Sequence, residues 1–170
     1  MKKKIAVGAC ILALLLVAGG LWYTRPRTFW EAAGLDPEAV TGVAGTVIET
    51  DVQDGRPYSR TWQMENRSPG QAEFDALMEQ LDEMRFRGTL RNLLPLPSLY
   101  STDASELSTI LILAAGEDGA MVRSGSRGSL RVSPRHGREG EFYPTDPAVW
   151  EHLADWLATH ADQRPESGLL

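Results

Sequence analysis

Cysteine is nearly absent from this chain. Cys10 is the only one in 170 residues, and it stands inside an apolar stretch near the start. Everything after it lacks thiols, which excludes disulfides and thiolate metal sites there. Lysine stops at Lys4, so all 12 basic residues after Arg27 are arginine, against 23 acids, a balance of about −11. Such a charge opposes non-specific binding to nucleic acid and favours solubility. Histidine is scarce: His136 lies in an arginine-rich segment, while His152 and His160 are eight residues apart, too far along a helix to share a metal. Asp51 and Asp54 precede Gly55, but the remaining oxygen ligands and the distal glutamate of a calcium loop are missing. Gly125, Ser126, Arg127 and Gly128 are too few for a Walker loop, lack its Lys-Ser/Thr, and do not match G-x-S-x-G. They read as a hairpin turn. There is no internal repeat, and no cofactor or metal is expected.

What the chain does have is an apolar N-terminal run. Residues 5–23 hold 19 uncharged residues behind Lys2, Lys3 and Lys4. As a helix they rise roughly 28 Å, about one hydrocarbon core. The expectation is a transmembrane signal anchor over 5–23, carried by Ile5, Leu12, Leu15, Leu16, Trp22 and Tyr23. Lysines before the run place residues 1–4 in the cytoplasm and the rest outside, with Trp22 and Tyr23 at the headgroup layer. The alternatives are secretion after cleavage near Gly19 or Gly20, behind a small-x-small triplet, and a lipoprotein at Cys10. Most of the apolar run follows Cys10, which favours a membrane residue over a lipid-attachment site.

The rest is short and well punctuated. In the juxtamembrane segment 24–40, Thr28 and Glu31 fit a capping box stopped by Gly34, and Asp36 before Pro37 starts a further turn. Phe29, Trp30 and Leu35 either pack on the domain or lie on a membrane surface. Asp54 and Gly55 suit a two-residue hairpin turn. Folding about it sets Gly45 opposite Met64, Val47 opposite Trp62 and Glu49 opposite Arg60, with Val43, Val47, Trp62 and Met64 on one face. Gly45 leaves room for the large side chains beside it.

A first long helix is expected from the Ser68 cap, with Pro69 at its first position and Gln71 completing the box. It carries a stripe of Phe74, Leu77, Met78, Leu81 and Met84, and ends at Arg85, Arg87 and Gly88. An extended connection follows over 91–97. The apolar run 109–115 predicts a central strand, reversed at Glu117, Asp118 and Gly119 into 120–124, then 129–133, with a short strand over 141–143. A last helix starts at Thr145, Asp146 and Pro147, buries Val149, Trp150, Leu153, Trp156 and Leu157, and runs to about His160. Residues 161–170 read as a frayed tail. The fold class is therefore α+β: a transmembrane helix, then one extracytoplasmic domain over 41–160. In that domain an antiparallel sheet of about five or six strands carries two amphipathic helices on one face.

One local feature departs from the acidic background. Arg123, Arg127, Arg131, Arg135 and Arg138 lie within sixteen residues, with His136 among them. If Arg123 and Arg131 point outward on neighbouring strands they form a positive stripe suited to carboxylate or phosphate groups, an anion or partner contact. The bland alternative is an edge hairpin kept soluble by charge.

The phrases FWEAAGLDPEAVTGVAG (29–45), RNLLPLP (91–97) and YPTDPAVWEHLADWL (143–157) resemble small membrane-anchored or exported proteins of Gram-positive bacteria without assigned function. The resemblance implies export and one compact domain, and transfers no catalytic residue. The function expected is a non-catalytic module at the outer face of the cell membrane. It would bind a protein or anionic envelope partner and no nucleic acid. The alternative is a cell-envelope hydrolase using converged carboxylates.

Overall fold

Alternating residues around a tight reversal give the longest hairpin of the protein. In the computed structural model, which describes residues 2–53, 56–89, 106–124, 129–135, 140–165 and 168–169, strands β2 (Gly42–Gln53) and β3 (Arg56–Arg67) pair antiparallel. Only the backbone is described for residues 2–10, 53, 57, 106, 168 and 169. The expected register holds, with Gly45 opposite Met64, Val47 opposite Trp62 and Glu49 opposite Arg60. Asp54 and Gly55 themselves lie outside the described residues. A bulge between Val43 and Gly45 bends β2. Val43, Val47 and Met64 are buried, Trp62 partly so, and Arg60 meets Glu49 at 3.7 Å near the turn.

Strand β5 (Glu106–Ala115) pairs with β2 on one side and with β6 (Asp118–Ser124) on the other. Ala115 pairs with Asp118, so the reversal falls on Gly116 and Glu117, one residue earlier than the sequence pattern implied. Gly116 has φ 58°, a conformation that costs glycine nothing. Strands β7 (Leu130–Pro134) and β8 (Gly140–Pro144) continue the meander.

Three further strands raise the sheet to nine, where five or six were expected. They are β1 (Pro26–Thr28), β4 (Arg85–Gly88) and β9 (Gly168–Leu169), and the order is β1-β4-β8-β7-β6-β5-β2-β3-β9, every pair antiparallel. Each is 2–4 residues long, too short for a two-residue period to announce itself. β4 also corrects the first long helix. That helix, α3, runs Ala72–Glu83, and Met84 already has extended backbone (φ −68°, ψ 137°). Arg85 and Arg87 are thus outward residues of a strand whose Phe86 is fully buried, not cations on a helix end. At the other end, Ser68 to Gln71 is a turn before the helix: the Gln71 amide donates to the Ser68 carbonyl at 3.2 Å, with Pro69 second and Gly70 (φ 87°) third. The Gln71 side chain reaches back to the Ser68 amide at 2.6 Å, the half of the expected box that forms.

The N-terminal segment folds as its caps dictate. Helix α2 (Phe29–Ala33) has the full Thr28–Glu31 capping box and ends at Gly34 with φ 68°. Phe29, Trp30, Ala32 and Ala33 are buried, and Trp30 Nε1 donates to Asp82 Oδ1 of α3. This segment is part of the core. Helix α4 (Val149–Thr159) buries Trp150, Leu153, Ala154 and Leu157, and Asp146 opens the turn before it by accepting from the Ala148 amide at 3.0 Å. It lies on β2, β3 and β5, while α2 lies on β4 and β7 and holds α3. All three share one core on one side of the sheet. The fold is α+β.

Two expectations about the chain ends are corrected. Helix α1 (Lys2–Tyr23) forms, but among the described residues no helix is long and apolar enough to cross a membrane. Over residues 161–165 and 168–169 the tail is not frayed. Asp162 and Gln163 bond to Gln63, Arg67 holds Asp162 at 2.7 Å, and β9 pairs with Tyr58 and Ser59. The sequence gives no sign of this, because the segment is polar and has no apolar period of its own.

Candidate functional site

Because the helices cover one side of the sheet, the other side is free to carry outward residues. On β5 the seemingly continuous apolar run alternates: Thr109, Leu111, Leu113 and Ala115 face the core, while Ile112 is 56% exposed. Its partner on β6, Met121, is 45% exposed, and Ala44 pairs with Ile112 from β2. These form an apolar patch on the open face. The expectation of a central strand over 109–115 did not reveal it, since an apolar run does not say which of its residues find cover. The legible signal was on β6, where Ala120, Val122 and Ser124 are buried and Met121 and Arg123 are not.

The arginines border this patch. Arg123 pairs directly with Arg131 across β6 and β7, and both sit on the outer face, as the sequence required for a positive stripe. Opposed like charges repel. A third strand relieves this, since Glu141 on β8 stands opposite Arg131 and its carboxylate approaches at 3.9 Å. Arg123 pairs on its other side with Ile110, and among the described residues it makes no ion pair. Arg135 is turned toward the Gly116 reversal, its Nη1 donating to the Glu117 carbonyl at 3.4 Å. Arg127 and Arg138 lie outside the described residues. The structure thus brings together Arg123 and Arg131 of the five, beside Ile112 and Met121.

A second concavity lies on the helical side. A cleft of about 360 Å³ between α3 and α4 is lined by Glu83, Arg85, Asp146, His152 and Trp156 among others. Nothing in the sequence placed these residues together, because they come from two helices, the start of β4 and the turn before α4. The Asp146 carboxylate is already engaged in capping, and Arg85 turns back onto the carbonyls of Asp82 and Met84. His160 stacks on Trp156 at 4.1 Å and donates from Nδ1 to the Trp156 carbonyl, a structural role. Among the described residues no group of three or more His, Cys, Asp or Glu side chains is placed to hold a metal ion.

The residues expected to anchor the chain sit on α1. Leu12, Leu15, Leu16 and Trp22 are exposed and Tyr23 is half-buried; the side chain of Ile5 is not described. Ile11, Leu14, Val17 and Leu21 are exposed as well, and at 100° per residue this apolar surface surrounds the helix. No family model, no curated protein and no solved structure matches this chain.

Proposed function

We propose that this protein is a non-catalytic binding module, held at a lipid surface by α1 and presenting the open face of its sheet to a protein partner. The observation that carries the reading is the pairing of exposed Ile112 and Met121 with Arg123 and Arg131 on one uncovered face. Solvated sheet faces are ordinarily polar. An apolar centre bordered by arginine forks is instead the anatomy of a contact surface. In a domain that is otherwise strongly acidic, it selects a partner whose apolar patch is rimmed by carboxylates. The resemblance to small exported proteins fits an extracytoplasmic setting. α1 supports attachment because a helix apolar on every side has no face to offer water.

The test is site-specific photocrosslinking from position 112 or 121 in intact cells. One stoichiometric partner is expected, lost in an Arg123→Ser, Arg131→Ser variant that keeps its circular dichroism. Recovery of the same proteins from a control position on the acidic side of α3, such as Glu79, would sink the reading.

A second reading, an envelope hydrolase, is favoured by one observation: Glu83, Asp146 and His152 line the same cleft. It requires that Glu83→Gln abolish an envelope-hydrolysing activity of the purified protein while leaving it folded.

A further inference from the structure

We propose that the β1–β4 edge of the sheet, where α1 joins the domain, is a binding site for the phosphate headgroups of anionic phospholipids. This rests on the reading that α1 holds the protein at a lipid surface.

The junction is built, not a loose tether. Arg27 lies over the Tyr23 ring at 5.1 Å and donates from Nη2 to the Tyr23 carbonyl at 3.3 Å. Two residues after the helix, β1 enters the sheet and pairs with β4, setting Pro26 opposite Arg87 and Thr28 opposite Arg85. Tyr23 packs on Gly88 of β4 so closely that a Cβ there would stand 3.2 Å from its carbonyl oxygen. Whatever surrounds α1 therefore fixes which edge of the domain lies nearest.

That edge carries the two side-chain types that a headgroup layer takes. Trp22 is 66% exposed at the end of α1, with the Arg25 guanidinium over its ring at 4.3 Å. Arg87 is exposed on β4, opposite Tyr143 of β8, which is 40% exposed. Aromatic rings with a polar tip settle at the level of the headgroups, and guanidinium forks match phosphate oxygens. Among the described residues the one ion pair of Arg25 is an open contact with Glu31 at 3.4 Å, both side chains nearly half exposed, and Arg87 makes none. Apart from the Arg123–Arg131 stripe on the open face, the rest of the domain is acidic, so an anionic surface repels its acidic faces and admits this edge.

The full chain, purified in detergent, is presented to phosphatidylcholine vesicles and to vesicles enriched in phosphatidylglycerol at low salt. Tighter binding to the second is expected, with Arg25→Gln and Arg87→Gln each reducing the preference about fivefold, the effect of one cation near an anionic surface. Arg60→Gln, on the β2–β3 hairpin, should leave the preference unchanged. Lys2, Lys3 and Lys4 remain in every variant, so a preference that survives both substitutions belongs to the lysines and overturns the inference. Equal binding to both vesicles overturns it too, as does competition by inorganic phosphate, which would mark a soluble-anion site. Binding to neither vesicle instead removes the reading that α1 holds the protein at lipid.

Discussion

At Gly45 the absence of a side chain sets how closely a helix can approach the sheet. A Cβ built there would stand 2.6 Å from Leu157 Cδ2 and 3.5 Å from Leu111 Cδ2. Leu157 is fully buried and has nowhere to swing. Gly45→Val is expected to cost about 1–3 kcal/mol of stability in urea unfolding, the range for overpacking a filled core. In a Leu157→Ala background, itself about 2–5 kcal/mol less stable, the same change should cost much less because the space exists. Additive costs would show that α4 does not cross β2 at this point. The sequence indicated that Gly45 makes room, but for its strand neighbours. Cross-strand pairs follow from a turn and a period, whereas the helix laid above them depends on packing that one chain position does not encode.

At the scale of elements, legibility followed local signals. The α2 capping box, the β2–β3 register and the apolar stripe of α4 were readable because their determinants lie within a few residues of one another. β4 was missed although Met84, Phe86 and Gly88 are buried and Arg85 and Arg87 exposed, since a run of five can be read as the last turn of a helix just as well. The tail strand had no signal, and its attachment is electrostatic at one end. Hydrogen bonding to Arg67, then to the Glu65 amide, holds the Asp162 carboxyl below the ordinary carboxylate range. A depressed folded value means that the attachment is complete above the ordinary value of about 4 and is lost as pH falls through the lower one. Amide protection at Gln63 and Gln163, which bond to each other across the two segments, should therefore fall on acidification from about pH 4 downward. In Asp162→Ala it should already be low at neutral pH, while the global unfolding midpoint moves little. Unchanged protection in that variant would show that the backbone bonds alone hold the tail.

On the scale of the whole molecule, two surfaces with opposite demands are joined at one edge. α1 is apolar around its circumference, while the chain from residue 24 onward has 14 arginines against 23 acids. The core that starts at Phe29 closes without α1: its buried members come from α2, α3, α4, the inner face of the sheet, and Val40 and Met84 in the connections. A protein of residues 24–170 should then fold, stay soluble without detergent and unfold cooperatively, whereas the full chain should need detergent or lipid. The cost of losing Tyr23 from Gly88 and Arg27 is expected to be small, about 1 kcal/mol, because the contact is at an edge and partly exposed. Calorimetry and size-exclusion chromatography read both quantities. The open sheet face supplies the internal control, since exposed Ile112 and Met121 form an apolar surface away from α1 that can drive association. If the shortened protein self-associates and an Ile112→Ser, Met121→Ser variant restores the monomer, the sheet face is the sticky surface and α1 is separable. If the serine variant still aggregates or fails to unfold cooperatively, α1 is a structural element of the domain, and its attachment to lipid loses its main support.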